Sequence, residues 1–389
     1  MTDLLKGLTP QQKTAAVTLG PVLVIAGAGT GKTKTLAAAV VYRIRAAGIP
    51  ANRILAATFT NKAAAEMTSR IRAALGEDAA PRWIGTFHGL GARQLRIEPE
   101  VADLRPGFDI LDADDTRRMI KRVMKAMNIA AADDEGTSTR DPIKLVCNRI
   151  SSWKDELITA EEAPAAAEQL ISSGTPADPQ TIRAAARVYV EYQHRLRDAN
   201  AADFGDLLLW PVRAMMRDRA YKKRWAGRFD CVLADEYQDV NRAQFMWLSL
   251  FCEGHRELFA VGDDDQSIFG WRGANITYIR RFLQDFPNAT SVRLEENFRS
   301  TGHILDAANA VIARDHSRLG KTLFTQKPAG TPIQIVRCRN DEAEANEIVT
   351  EIVRRRAEGA TWDDFAILYR NNSLSRLFEE ALLRARIPY

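Results

Sequence analysis

Over residues 1–90, short apolar runs alternate with longer amphipathic stretches. "PVLVIAGAG" (21–29) gives way to "KTKTLAAAVVYRIRAAG" (32–48), and "RILAATFT" (53–60) to "NKAAAEMTSRIRAAL" (61–75). Apolar runs of this length read as buried strands, and the stretches between them carry the 3.6-residue period of helices. In the fourth segment Ala64, Met67, Ile71 and Ala74 share one face, and Lys62 and Glu66 are spaced to pair at i, i+4. Strand and helix in alternation predict an α/β fold with a parallel sheet.

From about Gly91 to Asp203 the strand pattern fades. "DDTRRMIKRVMKAMN" (114–128) and "PQTIRAAARVYVEYQHRLRDA" (179–199) are helical, punctuated by loops at "AADDEGTSTRDP" (131–142) and "ISSGTPADP" (171–179). Strands return at "FDCVLADE", "LFAVGDDD" and "TSVRLEEN", so a helical insertion interrupts the first domain. After about Leu294 a second α/β pattern starts, with strands expected at "PIQIVRC" and "DFAILYR" around the helix "EAEANEIVTEIVRRRAEG". The expected division is 1–90 with 204–291, an insertion at 91–203, and a further domain at 292–389.

At 389 residues the chain exceeds what one hydrophobic core supports, which agrees with that division. With 46% hydrophobic and 27% charged residues it has the composition of a soluble globular protein. A net charge of +4 neither demands nor excludes a polyanionic partner, since the placement of the cations decides that. Cys147, Cys231, Cys252 and Cys338 form no CxxC pair, and the five histidines never fall at ligand spacing, so a zinc centre and a disulfide framework are not expected. No apolar stretch approaches a membrane span and the N-terminus lacks a leader pattern, so a cytoplasmic location without membrane contact is expected.

"AGAGTGKT", Ala26 to Thr33, lies between an apolar run and a helical pattern, the context of a phosphate-binding loop. Backbone N–H groups of Gly27, Ala28, Gly29, Thr30 and Gly31 would close around phosphates, Lys32 would reach the β- and γ-phosphates, and the Thr33 hydroxyl would hold Mg2+. The first glycine of the strict GxxxxGK[ST] pattern is Ala26 here. "DCVLADEYQD" supplies the acidic half: Asp235 to complete the Mg2+ shell and Glu236 to orient and deprotonate the attacking water. "LFAVGDDDQSIFGWRGA" (258–274) ends a strand in Asp263, Asp264 and Asp265, which can hold water or backbone, and in Gln266, an uncharged amide suited to sensing a γ-phosphate. Phe269 and Trp271 follow in a polar setting and suit a platform for stacking bases.

"LTPQQ", "AGAGTGKT", "TFTNKAAAEM", "GTFHGLG", "DFGDLL", "LADEYQD", "VGDDDQSIFGWRGA", "LEENFRS" and "FAILYRNN" together resemble the ordered motifs of superfamily 1 DNA helicases of the UvrD, Rep and PcrA type. The resemblance implies a RecA-like P-loop domain with a parallel sheet, a helical insertion domain and the first part of a second RecA-like domain. It implies ATP-dependent, 3′-to-5′ movement on single-stranded DNA and unwinding at single-strand/duplex junctions, with repair or replication proteins as unidentified partners. It assigns the adenine edge to Gln12 and the γ-phosphate to Gln266 and Arg299. Phe298 stands where the family has a tyrosine against the adenine, and Lys34 where relatives have an arginine, which would weaken stacking there. Phe59, Asn61, Thr86, His88, Phe204, Phe269, Trp271 and Arg272 are implied DNA contacts, and Lys154 is a further contact with the DNA backbone or a solvated lysine. For Phe204 taken by itself, burial in a core is the commoner fate. The family's last two motifs are not found before Tyr389, so the alternative is a truncated ATP- and single-strand-binding fragment that does not cycle. An RNA-directed relative and a helicase subunit of a nuclease complex are third readings.

Overall fold

The computed structural model describes residues 5–129 and 141–389, apart from the side chains of Asp78 and Arg272. Most of the loop read at 131–142 thus lies outside the described residues. The chain divides into two compact units, one ending at Gly330 and one spanning Thr331–Tyr389.

In chain order the strands are β1 (Val22–Ala26), β2 (Ile54–Thr58), β3 (Trp83–Thr86), β4 (Asp109–Leu111), β5 (Ala201–Asp203), β6 (Cys231–Ala234), β7 (Leu258–Gly262) and β8 (Thr290–Leu294). Six of them make one parallel sheet in the order β3-β2-β6-β7-β1-β8. Alternate side chains feed two cores, as a parallel sheet covered on both faces requires. Leu23, Ile25, Leu55, Ala57, Val232, Ala234, Leu258 and Ala260 enter one core, and Val22, Val24, Ile54, Ala56, Leu233, Phe259 and Val261 the other. Helices Lys32–Arg45 and Asn61–Leu75 add Leu36, Val40, Met67 and Ile71 to the second core. Ala74, expected on the packed face of Asn61–Leu75, is exposed, and Glu66 pairs with Arg70 rather than Lys62, at 2.8 Å.

Because β6 and β7 lie between β2 and β1, the segments leaving β1, β6 and β7 emerge side by side at the carboxyl ends of the strands. The carboxyl ends of the strands are where open α/β sheets receive ligands.

Helices Ala113–Ala126, Pro142–Asp155, Ala163–Ser172 and Pro179–Asp198 build a third core around Val123, Ile150, Trp153, Tyr189 and Tyr192. The Trp153 and Tyr189 rings stack at 6.2 Å. Parallel strands β4 and β5 pair within this region, where no strand was expected. Helix Phe87–Ile97 runs through Gly91 and packs into the core of the large sheet; a side chain at Gly91 would lie 2.3 Å from the Leu207 carbonyl oxygen.

In Thr331–Tyr389, helices Asp341–Ala357 and Ser375–Arg384 pack through Ala345, Val349, Ile352, Ala381 and Leu382. The strands expected at 332–338 and 364–370 are not formed: both segments are without a ladder partner among the described residues, with Ile335 89% and Leu368 93% exposed. A strand is completed by its neighbour's backbone, which an alternating pattern alone does not supply.

Candidate active site and nucleic-acid interface

The loop after β1 is a cradle of backbone. Gly29 and Gly31 have φ of 74° and 84°, left-handed values that glycine adopts without strain. A side chain on Gly29 would meet Arg299 Cβ at 2.7 Å, and one on Gly31 would meet Gln12 Nε2 at 2.6 Å. Ala26 is the buried end of β1, and Ala28 presents its carbonyl to Asn297 Nδ2 at 2.6 Å. The buried Thr30 hydroxyl donates to the Gly27 carbonyl at 2.8 Å. Thr33 sits half-buried in the first turn of helix Lys32–Arg45.

Gln12 is buried and committed to backbone. Its Oε1 accepts from Thr9 N at 3.0 Å in a capping box, and its Nε2 donates to the Thr30 carbonyl at 2.8 Å. The residue nominated for the adenine edge therefore also ties helix Pro10–Val17 to the phosphate loop. Lys34 Nζ donates to the Gly7 carbonyl at 2.5 Å.

On the acidic side, Lys32 Nζ pairs with Glu236 Oε2 at 2.8 Å. Glu236 has φ 49°, ψ 44°, a left-handed conformation that costs a non-glycine residue about 1–2 kcal/mol. Strain of this kind collects at working sites held by their surroundings. Here the holder is Gln238, whose Nε2 donates to Glu236 Oε2 at 2.9 Å while its Oε1 accepts from Asp263 N at 2.8 Å. Burial, helped by the Glu236 charge and opposed by Lys32, pushes the Asp235 carboxyl up to about 6. A hydroxyl at Thr33 and a buried carboxylate at Asp235 are the oxygen donors that a hard divalent cation takes, so these residues fit Mg2+.

Beyond β7, Gln266 is exposed and its amide donates to Asp263. The three aspartates do more than hold water or backbone. Asp264 accepts from Leu319 N at 2.7 Å, Asp265 pairs with Arg318, and Lys321 Nζ bonds both Asp263 and Asp265. Their carboxylates lie within 4.8 Å of one another, and a lysine ammonium stands where a metal ion would have to sit.

Asn297 carries the next contact. Its Nδ2 holds the Ala28 carbonyl, its Oδ1 accepts from the backbone N–H groups of Arg299 and Ser300 at 2.8 and 2.7 Å, and Phe298 N donates to the Gly29 carbonyl at 2.9 Å. Arg299 and Phe298 are thereby fixed against the loop with exposed side chains, and among the described residues Arg299 has no ion pair. Gln238 and Asn297 stand inside motifs quoted above yet received no role there. Arg318 and Lys321 belong to no recognised motif, and they lie 53 and 58 positions from Asp265 and Asp263, so the sequence carries no signal for them.

The residues nominated for DNA divide in two. Trp271 is 74% exposed, its ring 6.3 Å from that of the half-buried Phe269; the Arg272 side chain lies outside the described residues. Phe204, where core was the commoner expectation, is 53% exposed and meets the His88 ring edge-on at 5.8 Å. Burial holds the His88 imidazole below its usual range, against the pull of Asp203. Asn61 is exposed, Thr86 caps helix Phe87–Ile97 through Gly89 N at 3.1 Å, and Phe59 packs edge-on to Phe87 at 5.4 Å.

Lys154 is neither a DNA contact nor a solvated lysine. It is 1% exposed and pairs with Asp203 at 2.8 Å and Asp206 at 2.9 Å, with the Tyr189 and Tyr192 rings beside it. Burial and the neighbouring Asp203 push Asp206 up to about 6, while Lys154 holds Asp203 below the usual carboxylate range despite its burial. Gly205 is explained here: a side chain on it would meet Lys154 Cδ at 2.7 Å.

Comparison with known proteins places the sequence in a family. The family model for the UvrD/REP helicase N-terminal domain matches residues 8–287, and that for the UvrD-like helicase C-terminal domain matches 292–389. The chain is 40% identical over 387 residues to DNA helicase II of Escherichia coli, covering 99% of this chain and 51% of that protein. It is 42% identical over 398 residues to ATP-dependent DNA helicase UvrD1 of Mycobacterium bovis, covering 100% and 50%. Against ATP-dependent DNA helicase PcrA of Leuconostoc citreum the identity is 38% over 389 residues, covering 99% and 50%. The chain spans about half the length of these curated relatives.

Proposed function

The chain belongs to the UvrD/REP helicase family, and from that premise we propose that it hydrolyses Mg-ATP and grips single-stranded DNA as part of a 3′-to-5′ translocating helicase. The observation that carries this reading is the connector after β7, which bonds the phosphate side through Asp263 and Gln238 and presents Trp271 to solvent within one short segment. The relatives' printed names, ATP-dependent and DNA helicase, support the same substrate pair.

In this reading Lys32 passes from Glu236 to the β- and γ-phosphate oxygens of ATP, which releases the Glu236 carboxylate. Glu236 takes the proton of the attacking water as its oxygen bonds the γ-phosphorus and the bond to ADP breaks. Bound at Thr33 and Asp235, Mg2+ would neutralise charge on the phosphates. Gln266 and Arg299 contact the γ-phosphate, Phe298 stacks on the adenine, and Gln12 serves its edge while holding the loop. Phe59, Asn61, Thr86, His88, Phe204, Phe269, Trp271 and Arg272 line the path of the strand, where stacking and phosphate contacts give salt-sensitive, sequence-tolerant binding. The work is cytoplasmic, at single-strand/duplex junctions in DNA repair or replication. Among the described residues no helix is long and apolar enough to cross a membrane.

The test is ATP turnover and oligonucleotide binding by this chain. Turnover stimulated by oligothymidylate, abolished in Lys32→Ala, and binding competed by DNA more strongly than by RNA are expected. Tight DNA binding with no nucleotide affinity would refute the reading.

A further inference from the structure

The segment Arg318 to Phe324 runs along three parts of the candidate site at once. Arg318 and Lys321 hold the aspartates after β7, and Leu319 N bonds Asp264. Thr322 N bonds Glu295 Oε1 at 2.8 Å, Phe324 N bonds the Glu295 carbonyl at 3.0 Å, and Asn297 N bonds the Phe324 carbonyl at 2.7 Å. Leu323 lies against the phosphate loop: a side chain on Gly27 would meet its Cδ2 at 2.6 Å. Asn309 pins Leu323 through both backbone groups, at 2.8 and 3.2 Å.

Within this arrangement Asp263 is shared. One carboxylate oxygen accepts from Lys321 and from Asp265 N, and the other from the Gln266 amide. Asp263 N leads through Gln238 to Glu236 and Lys32. A continuous chain of hydrogen bonds thus runs from the phosphate-loop lysine to the buried ammonium of Lys321, and the strap then bonds the segment bearing Phe298 and Arg299. Lys321 is 5% exposed, so its charge is held by these carboxylates with little help from water.

We propose that the segment 318–324 is a strap that couples nucleotide occupancy to the DNA platform, and that Lys321 is its positioning residue. When Lys32 leaves Glu236 for a phosphate, Gln238 and Asp263 lose part of the arrangement that sets them, and the connector carrying Gln266 and Trp271 shifts against a strap whose other end is fixed beside the phosphate loop. Lys321 keeps that shift from dissipating, because its ammonium fixes Asp263 and Asp265 together. Coupling of this kind is a ratio of affinities and is reciprocal between the two ligands.

The inference rests on the function proposed above, and the test separates the two. Binding of a fluorescent oligothymidylate to the 389-residue chain is measured with and without Mg2+ and a non-hydrolysable ATP analogue. For the unaltered chain the analogue should change oligonucleotide affinity by about 5-fold or more. In Lys321→Met, and in Arg318→Gln, which removes a partly exposed member of the strap at less risk to folding, the ratio should fall towards one. Affinity for each ligand alone should stay within about 3-fold, and Lys321→Arg should recover part of the ratio. Both variants folded with an unchanged ratio, or an unaltered chain whose ligands bind without mutual effect, would overturn the strap while leaving the proposed substrates in place. Failure to bind either ligand would instead refute the proposed function.

Discussion

The stem of Lys154 lies where any side chain on residue 205 would have to go, and its ammonium closes a cluster of two carboxylates. This explains the order of residues in "DFGDLL": Asp203 and Asp206 face the lysine, Gly205 makes room for it, and Phe204 is turned outward beside His88. Lys154→Met would leave two buried carboxylates without their cation, a change that costs about 3–5 kcal/mol. Thermal denaturation should show that loss, and Gly205→Ala should weaken oligonucleotide binding through displacement of Phe204 without weakening nucleotide binding. Asp206 also makes a pH prediction. Its folded-state pKa of about 6 lies above the ordinary 3.8, so its contribution to stability is complete below about pH 4 and is lost as pH rises through about 6. In Asp206→Asn that part of the pH dependence should vanish from melting curves taken between pH 4 and 7; an unchanged profile would show that Asp206 titrates normally. Phe204 and His88 stood among the implied DNA contacts, but the cluster of Lys154 with Asp203 and Asp206 was not legible in the sequence. A lysine in "SSWKDE" has the pattern of a surface residue, and only the fold brings helix Pro142–Asp155 to the end of β5 and the turn after it, where the two aspartates lie 49 and 52 positions away.

At the scale of elements, the parts best read from the chain were those that specify themselves. Strands β1, β2, β6 and β7 are dense apolar runs, β8 alternates exposed and buried positions through Val292 and Leu294, and the phosphate loop is announced by glycines whose left-handed φ the turn requires. Strands β3, β4 and β5 are three or four residues long and mixed in polarity, so their pairing comes from neighbours. The reverse holds at 332–338 and 364–370, which have the strand pattern and no ladder among the described residues. Likewise "DEYQD" and "NFRS" were readable as motifs, but the hydrogen bonds of Gln238 and Asn297 that join them to β7 and β1 follow from the sheet order. The strained turn at Glu236 makes a prediction of its own. Glu236→Gln keeps the shape and removes the proposed base and the charge opposite Lys32. Turnover should fall by about 10²–10⁴-fold, with the affinity for Mg-ATP at least retained. A parallel loss of nucleotide affinity would mean that Glu236 serves the fold of the loop rather than the chemistry.

For the molecule as a whole, the proposed function joins the loops leaving β1, β6 and β7 into one device: a proposed triphosphate cradle, its acidic partner, and a connector whose far end is an exposed indole. Parallel strands in this order set those loops abreast, and the strap 318–324 binds the loops after β7 and β1 together. Steady-state ATP turnover by the chain and by Trp271→Ala, with and without oligothymidylate, beside the Mg-ATP affinity of each, tests this most directly. The variant should keep its nucleotide affinity and lose the stimulation by DNA. Stimulation at the level of the unaltered chain, or an equal loss of nucleotide affinity and stimulation, would contradict it.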